Sequence, residues 1–553
     1  MQVCIVVGCR RIFQIVGGGA RDLQGGRHVV RRFLICFGLG AALLTAPLAK
    51  TQDVRLSIDA SKTGAKIDRN LFGQFAEQLG YGVYGGIWVG PDSAIPNTRG
   101  IRKDVVEALR AIKVPNVRWP GGCYADEHHW RRGIGPQKDR TVTLNAAWGG
   151  VPDTYAFGTD EYMDFLNQIG SQAYVSANIG SGTVEEASEW VEYMTANPPD
   201  TLGKLRAANG HPEPYKVKFL GIGNESWDCG GVMTPEYYIS QLKLYTRFVH
   251  NYNPAQKPGG DEMLKIAVGP GFPVTDWTAE VMKAWKKHDW AWDFNGLSVH
   301  WYTVPNGWPV STRSDKFSIE DYDKTLKSGL FMDEFLRRQE AVMDQYDPEK
   351  KVALVVDEWG AWHAPLEGTN KDFLIQQNSL RDAILAALNI NIFARHADRV
   401  RMANIAQMIN VLQSMILTDK DKMVLTPTYW VFKMYVPFQD ARFVPVTYDA
   451  GTYTHGGVTL PRIDAIAAKS ADGKLQISIT NLDPINTVRI DTELAGMAFK
   501  SAHGETLTAP AVDSINTFGT PNAVEPKPIA VQLKEGKLTL EAAPKSVTVI
   551  TVE

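Results

Sequence analysis

Between residues 71 and 435, short apolar runs alternate with segments whose apolar residues recur every three or four positions. The runs are 71–77, 114–119, 173–179, 217–222, 264–268, 294–300, 352–356 and 400–405. Each is five to seven residues long and rich in Val, Ile, Leu or Phe, the pattern of a strand buried on both faces. Between them, Val105, Leu109 and Ile112 share one face of a helix over 103–112, and Tyr162, Phe165, Leu166 and Ile169 one face over 160–169. Thr183 and Glu186 form a capping box ahead of the stripe Ala187, Trp190, Val191 and Met194. Thr234-Pro235 supplies a cap with proline at the first helical position. Strands alternating with helices imply a parallel sheet. Eight such units over this length predict an α/β fold, a (β/α)8 TIM barrel with long insertions. The alternative, a doubly wound open sheet, lacks the Gly-x-Gly-x-x-Gly turn after its first strand.

After about Pro437 the period changes from helical to two. Leu475, Ile477 and Ile479 alternate with polar residues, as do Val488 and Ile490, Leu538 and Leu540, and Val547 and Val549. Turns such as Asp472-Gly473 and Asp483-Pro484 separate them, which predicts an all-β, jelly-roll-like sandwich. Val54, Leu56 and Ile58 alternate in the same way but precede the barrel, so this strand is expected to join the sandwich. The resulting division is a leader over 1–49, an N-terminal strand region over 50–70, the barrel over 71–436 and the sandwich over 437–553.

The leader differs from the rest. Arg27, Arg31 and Arg32 precede the apolar run 33–44, and small residues follow. This resembles a secretory signal and predicts export to the periplasm or the medium. The run is short for a membrane span, and an uncleaved anchor is the alternative. Of the five cysteines, Cys4, Cys9 and Cys36 lie in this leader. Cys123 and Cys229 remain, which is neither a disulfide scaffold nor a zinc cluster; they are either bridged or separately buried thiols. A net charge of −3 without a basic patch argues against nucleic acid as a partner.

The chemistry gathers at strand ends. The run at 217–222 passes into Asn224-Glu225-Ser226-Trp227, and the run at 352–356 into Asp357-Glu358-Trp359. A carboxylate at the mouth of a buried strand is costly unless it is used or paired. Two of them at the carboxyl ends of the fourth and seventh barrel strands form the pair that glycoside hydrolysis needs. Glu77, Arg118, Cys123, Tyr124, Asn178, His300, Tyr302 and Gln407 fall at the other strand ends. Nothing implies a cofactor or metal: His128-His129 lack a metal-site spacing and read as a solvated loop. Asp126 and Glu127 are only minor candidates for touching substrate, and Trp88 and Trp362 are as compatible with packing as with lining a sugar pocket.

The chain from about Asp53 onward resembles the α-L-arabinofuranosidases of glycoside hydrolase family 51. The resemblance rests on Gly-Gln-Phe-Ala-Glu at 73–77, Gly-Ile-Trp-Val-Gly at 86–90, Arg-Trp-Pro-Gly-Gly at 118–122 with Trp130 and Gly-Ile-Gly-Pro at 133–136. It rests further on Gly-Asn-Glu at 223–225, Ser-Val-His-Trp-Tyr at 298–302, Asp-Glu-Trp at 357–359, Ala-Asn-Ile-Ala-Gln at 403–407 and Thr-Pro-Thr-Tyr-Trp at 426–430. It implies a barrel with a β-sandwich, no cofactor, and release of terminal arabinofuranosyl groups from arabinan, arabinoxylan or their oligosaccharides with retention of configuration. Glu225 resembles the general acid/base, Glu358 the nucleophile and Asn224 the partner of the sugar 2-hydroxyl. Glu77, Arg118, His300, Tyr302 and Gln407 match positions that hold the ring or support the carboxylates. Cys123 stands where many relatives carry Asn, and the subset with Cys there implies a Cys123–Cys229 bridge at the rim. The family commonly forms hexamers. The alternatives are an endo-β-glucanase or β-xylosidase with the same chemistry, or a non-catalytic sugar-binding protein.

Overall fold

The computed structural model describes residues 52–287, 292–307 and 312–553. The leader, and with it the export signal, the alternative anchor and three cysteines, lies outside the described residues. Eight parallel strands close into a barrel: Gly73–Phe75, Asn116–Trp119, Gln172–Ala177, Val217–Ile222, Leu264–Ala267, Gly296–Thr303, Ala353–Ala361 and Val400–Ile405. They follow one another round the barrel in sequence order, and the eighth pairs with the first. The expected barrel is therefore the observed one. Its lower interior is filled by Tyr174, Phe219, Ile266, Ala353, Val355 and Met402, so the barrel is a packed core and functional groups sit above it.

Two of the strand boundaries that differ from those the sequence predicts bear on the site. The first run opens with a 3-10 turn, Arg69–Phe72, because the Asp68 carboxylate caps the Asn70 N–H at 2.9 Å. The seventh strand runs to Ala361, so Glu358 lies inside it rather than beyond its end. Its pairing with the eighth strand slips between Val356 and Trp359. That bulge turns two consecutive residues, Asp357 and Glu358, toward the barrel interior, where regular alternation would send them to opposite faces.

The C-terminal region packs a five-stranded and a six-stranded sheet face to face. Gln52–Asp59 lies in the first, parallel to Val488–Ala495, and buries Val54, Leu56 and Ile58 while Asp53, Arg55 and Ser57 face solvent. Each such buried aliphatic is worth on the order of 1.5–3 kcal/mol. Between barrel and sandwich runs the helix Leu380–Arg395, apolar nearly all round and buried along almost its whole length. A helix of that kind needs cover on both sides, which the barrel and the six-stranded sheet supply. Two of its polar residues are tied across the junction: Asn391 donates to Asp464 at 2.7 Å, and Arg395 pairs with the same carboxylate.

Candidate active site

A cavity of about 530 Å³ opens at the carboxyl end of the barrel, lined among others by Glu77, Cys123, Glu225, His300, Tyr302, Glu358 and Gln407. A larger one of about 780 Å³, lined by Trp88, Asp160, Asp164 and Tyr215, lies away from this constellation. Its polar groups are already engaged: Arg99 pairs with Asp164, and the Tyr193 and Tyr215 hydroxyls donate to Asp160 at 2.9 and 3.0 Å. The smaller cavity, apolar walls with convergent titratable groups, has the make-up of a reaction site.

Arg118 is the centre of the arrangement. Only 1% exposed, it lies over the rings of Phe75 and Tyr174 and donates to Glu358 Oε1 at 2.7 Å and to Asn224 Oδ1 at 2.6 Å. Burial disfavours its charge, but Asp357 and Glu358 outweigh that and keep it a guanidinium. Tyr302 donates to the other Glu358 oxygen at 2.7 Å. Glu358 thus has a donor on each oxygen. The amide of Asn224 is oriented by the Arg118 bond, and its nitrogen donates to Cys229 Sγ at 3.7 Å. Gly122 has to be glycine here: a Cβ would come within 2.8 Å of Glu358 Oε1.

Glu225 follows the fourth strand with φ of 37°, in the left-handed region that is uncommon for a non-glycine residue. Burial raises its pKa; the hydrogen bond to His300 and the imidazolium charge lower it, and the Glu358 charge raises it again. His300 Nδ1 is 2.9 Å from Glu225 Oε1, and its Nε2 is 3.1 Å from Asp357 Oδ1. Burial would push the His300 pKa down, but Glu358, Asp357 and Glu225 around it hold it up at about 10. The ring is therefore an imidazolium between carboxylates. Register makes this possible, because His300 and Glu358 are direct neighbours across the sixth and seventh strands.

One donor atom each of Glu225, His300 and Glu358 lies within 4.8 Å of the others. A divalent ion could be reached by all three, but with both imidazole nitrogens protonated the set reads as a hydrogen-bonded acid–base system. Glu77 closes the inner wall. It accepts from the Gly122 and Tyr124 N–H groups at 2.9 and 3.1 Å and exchanges hydrogen bonds with Gln407 at 2.9 and 3.1 Å. Burial, then the Glu358 charge, push its pKa up to about 7. The Cys123 and Cys229 sulfurs are bonded at 2.18 Å, tying the loop after the second strand to the loop after the fourth. Cys229 Sγ lies 3.6 Å from Glu225 Oε2.

Some sequence expectations are corrected. His128 is not in a solvated loop: it is 4% exposed, packed among Trp119, Tyr124, Tyr155 and Trp190, and burial pushes its pKa down to about 3. Its partner His129 is half-buried against Glu186 at 2.9 Å. Trp88 lies outside the site, packed on Phe157, whereas Trp362 lines it and meets Tyr302 edge-on. Asp126 is a buried anchor, accepting from the N–H groups of Ile179, Gly180 and Asn224. Burial, opposed by those donors, raises its pKa to about 7. Asn178 likewise caps its own turn at Ser181 and Gly182.

Sequence reasoning gave no role to Asp357 and Tyr174. Asp357 accepts from the Tyr174 hydroxyl at 2.6 Å and faces His300 and Arg118. Burial alone would raise its pKa, but Arg118 and His300 hold it below the usual carboxylate range. The available signal was the pair of adjacent acids, which only a bulge brings to one face.

Residues 357–546 match the family model described as the α-L-arabinofuranosidase C-terminal domain, and residues 108–266 the one described as the α-L-arabinofuranosidase 1 domain. A Bacteroides ovatus protein named intracellular exo-α-L-arabinofuranosidase is 41% identical over 92% of this chain and 97% of its own length. The crystal structure of the family 51 arabinofuranosidase of Xanthomonas axonopodis pv. citri is 46% identical, with a TM-score of 0.87 over 91% of this chain and all of that one. That of a Thermotoga maritima α-L-arabinofuranosidase in complex with arabinose is 31% identical, with a TM-score of 0.78 over the same shares. The expectation of export is overturned by the Bacteroides relative, which spans nearly the whole chain and is named intracellular. A basic stretch followed by a short apolar run is by itself a weak export signal.

Proposed function

The chain belongs to the α-L-arabinofuranosidases of glycoside hydrolase family 51, acting on an arabinose-containing substrate, and from that premise we propose that it is an exo-acting, retaining enzyme in which Glu358 is the nucleophile and Glu225 the acid/base. The observation that carries retention is the spacing: a Glu225 oxygen and a Glu358 oxygen lie within 4.8 Å. Retaining enzymes hold their carboxyl groups about 5–5.5 Å apart, whereas inverting ones leave about 6.5–9.5 Å for a water. Glu358, held between Arg118 and Tyr302, attacks the anomeric carbon as Glu225 protonates the leaving oxygen. Glu225, now a carboxylate, then takes a proton from the water that releases the sugar. The exo reading is supported by the inner wall, where Glu77, Gln407, Trp148, Leu412 and Trp362 close the cavity beyond the carboxylates. Terminal arabinofuranosyl groups of arabinan, arabinoxylan or derived oligosaccharides are the proposed substrates. Hydrolysis of an aryl α-L-arabinofuranoside followed by proton NMR tests the reading. The first-formed free sugar is expected to be the α anomer; a first-formed β anomer overturns retention.

His300 sets when Glu225 can act. His300→Gln removes a cation and a hydrogen bond that favour the Glu225 carboxylate, so the Glu225 pKa is expected to rise further. Protonated Glu225 is needed for glycosylation, and kcat/KM falls as pH climbs through its pKa. The alkaline limb of the kcat/KM profile should therefore move to higher pH, while kcat near neutrality drops about 10- to 100-fold from lost alignment. An unmoved alkaline limb assigns that limb to another group.

A further inference from the structure

From the aromatic surface beside Glu225 we infer a leaving-group subsite for a pyranose ring, built by Phe272 on Trp227, so that arabinofuranosyl groups carried on a pyranose backbone are preferred over those carried on arabinofuranose. The inference rests on the acid/base reading of Glu225 and extends it to the substrate's other half. The proton donor must touch the glycosidic oxygen, so the leaving sugar lies on the Glu225 side of the carboxylate pair. On that side the cavity is lined by Trp227, Gly271, Phe272 and Pro273. Trp227 is fixed by its indole N–H, which donates to the Gly269 carbonyl at 3.0 Å. Gly271 lets the loop after the fifth strand lie flush on that ring; a Cβ there would come within 2.6 Å of the indole and 3.7 Å of Glu225 Oε1. Phe272 then meets Trp227 with centroids 5.1 Å apart at 61°.

Phe272 is 48% exposed, a large apolar ring held at the mouth of a polar site. Exposed aromatic surface beside a cavity is a binding feature, and an aromatic face suits a ring that turns C–H bonds toward it. A pyranose with equatorial hydroxyls, such as xylopyranose, offers an unbroken face of axial C–H bonds. A furanose offers a smaller and puckered one.

The test compares wild type, Phe272→Ala and Phe272→Trp on methyl α-L-arabinofuranoside, on arabinofuranosyl-xylobiose and on α-1,5-arabinobiose. Phe272→Ala is expected to lower kcat/KM about tenfold on the xylobiose derivative, less than threefold on the methyl glycoside, and less on arabinobiose than on the xylobiose derivative; Phe272→Trp should restore it. An equal loss on all three substrates, no loss at all, or a greater loss on arabinobiose overturns the inference and leaves the acid/base reading standing. A wild type that cleaves none of the three overturns the acid/base reading, and the subsite falls with it.

Discussion

Glu358→Gln enzyme is expected to fold as the parent does and to hydrolyse an aryl α-L-arabinofuranoside on the order of 10⁵-fold more slowly. Two features separate this outcome from damage to the fold. The amide oxygen still accepts from Arg118, whose charge keeps Asp357 at 3.4 Å as a partner. Glu358→Ala would leave more of that buried guanidinium unmatched, and removing one partner of a buried pair can cost roughly 3–5 kcal/mol. A thermal melt within a few degrees of wild type should accompany the lost rate in the amide variant. The second feature is stereochemical. With no nucleophile, Glu358→Ala leaves room for azide below the anomeric carbon, and a single displacement gives the β-glycosyl azide. A Glu358 variant that keeps more than about a tenth of the parent kcat removes the nucleophile assignment.

The barrel was legible because a strand buried on both faces is rich in apolar residues, and the chain contains eight such apolar-rich runs spaced by amphipathic helices. Glu225 was legible for a related reason: an acid directly after an apolar run stands out. Glu358 stood out equally, but for an incomplete reason. The strand does not stop before it; a bulge carries Asp357 and Glu358 to one face. Period-two reasoning assigns adjacent residues to opposite faces, so it has no place for a strand in which both acids are used. Asp357 and its partner Tyr174 were missed on that account, since their contact joins strands 183 residues apart in sequence.

His128 and Asp126 show the other limit. Polar residues in a turn-rich stretch, 120–130, read as a solvated loop, yet the loop folds under a cover of aromatic rings. Asp126 is then cheaper to bury than it looks, because three backbone N–H groups that lack strand partners converge on it. Loop length and composition do not encode such convergence. In the sandwich, only the strands with strict alternation were visible. Ile463–Lys469 is buried on nearly every residue, and Arg442–Val444, Lys527–Ile529 and Gln532–Lys534 are three-residue strands too short for a period to register.

For Glu225→Ala the expected loss depends on the leaving group, and that dependence identifies an acid. A sugar alkoxide leaves poorly without a proton, so kcat/KM on arabinofuranosyl oligosaccharides should fall about 10³- to 10⁴-fold. A dinitrophenolate leaves as a stable anion, and kcat/KM on the corresponding aryl glycoside should stay within about tenfold of wild type. The second step has no such escape. Water needs a base to attack the glycosyl-enzyme, and with Glu225 gone the intermediate should accumulate, giving a burst of dinitrophenolate and then slow turnover. Azide needs no base. It should accelerate the steady state and yield the α-glycosyl azide, the product of two successive displacements, opposite in configuration to that from Glu358→Ala. His300 strengthens the contrast. In the Ala variant its imidazolium loses its bond to Glu225 but keeps Asp357 at 3.1 Å, so the cation stays in the site and favours an incoming anion. Equal losses on good and poor leaving groups, with no azide effect, would instead describe a residue that only shapes the pocket.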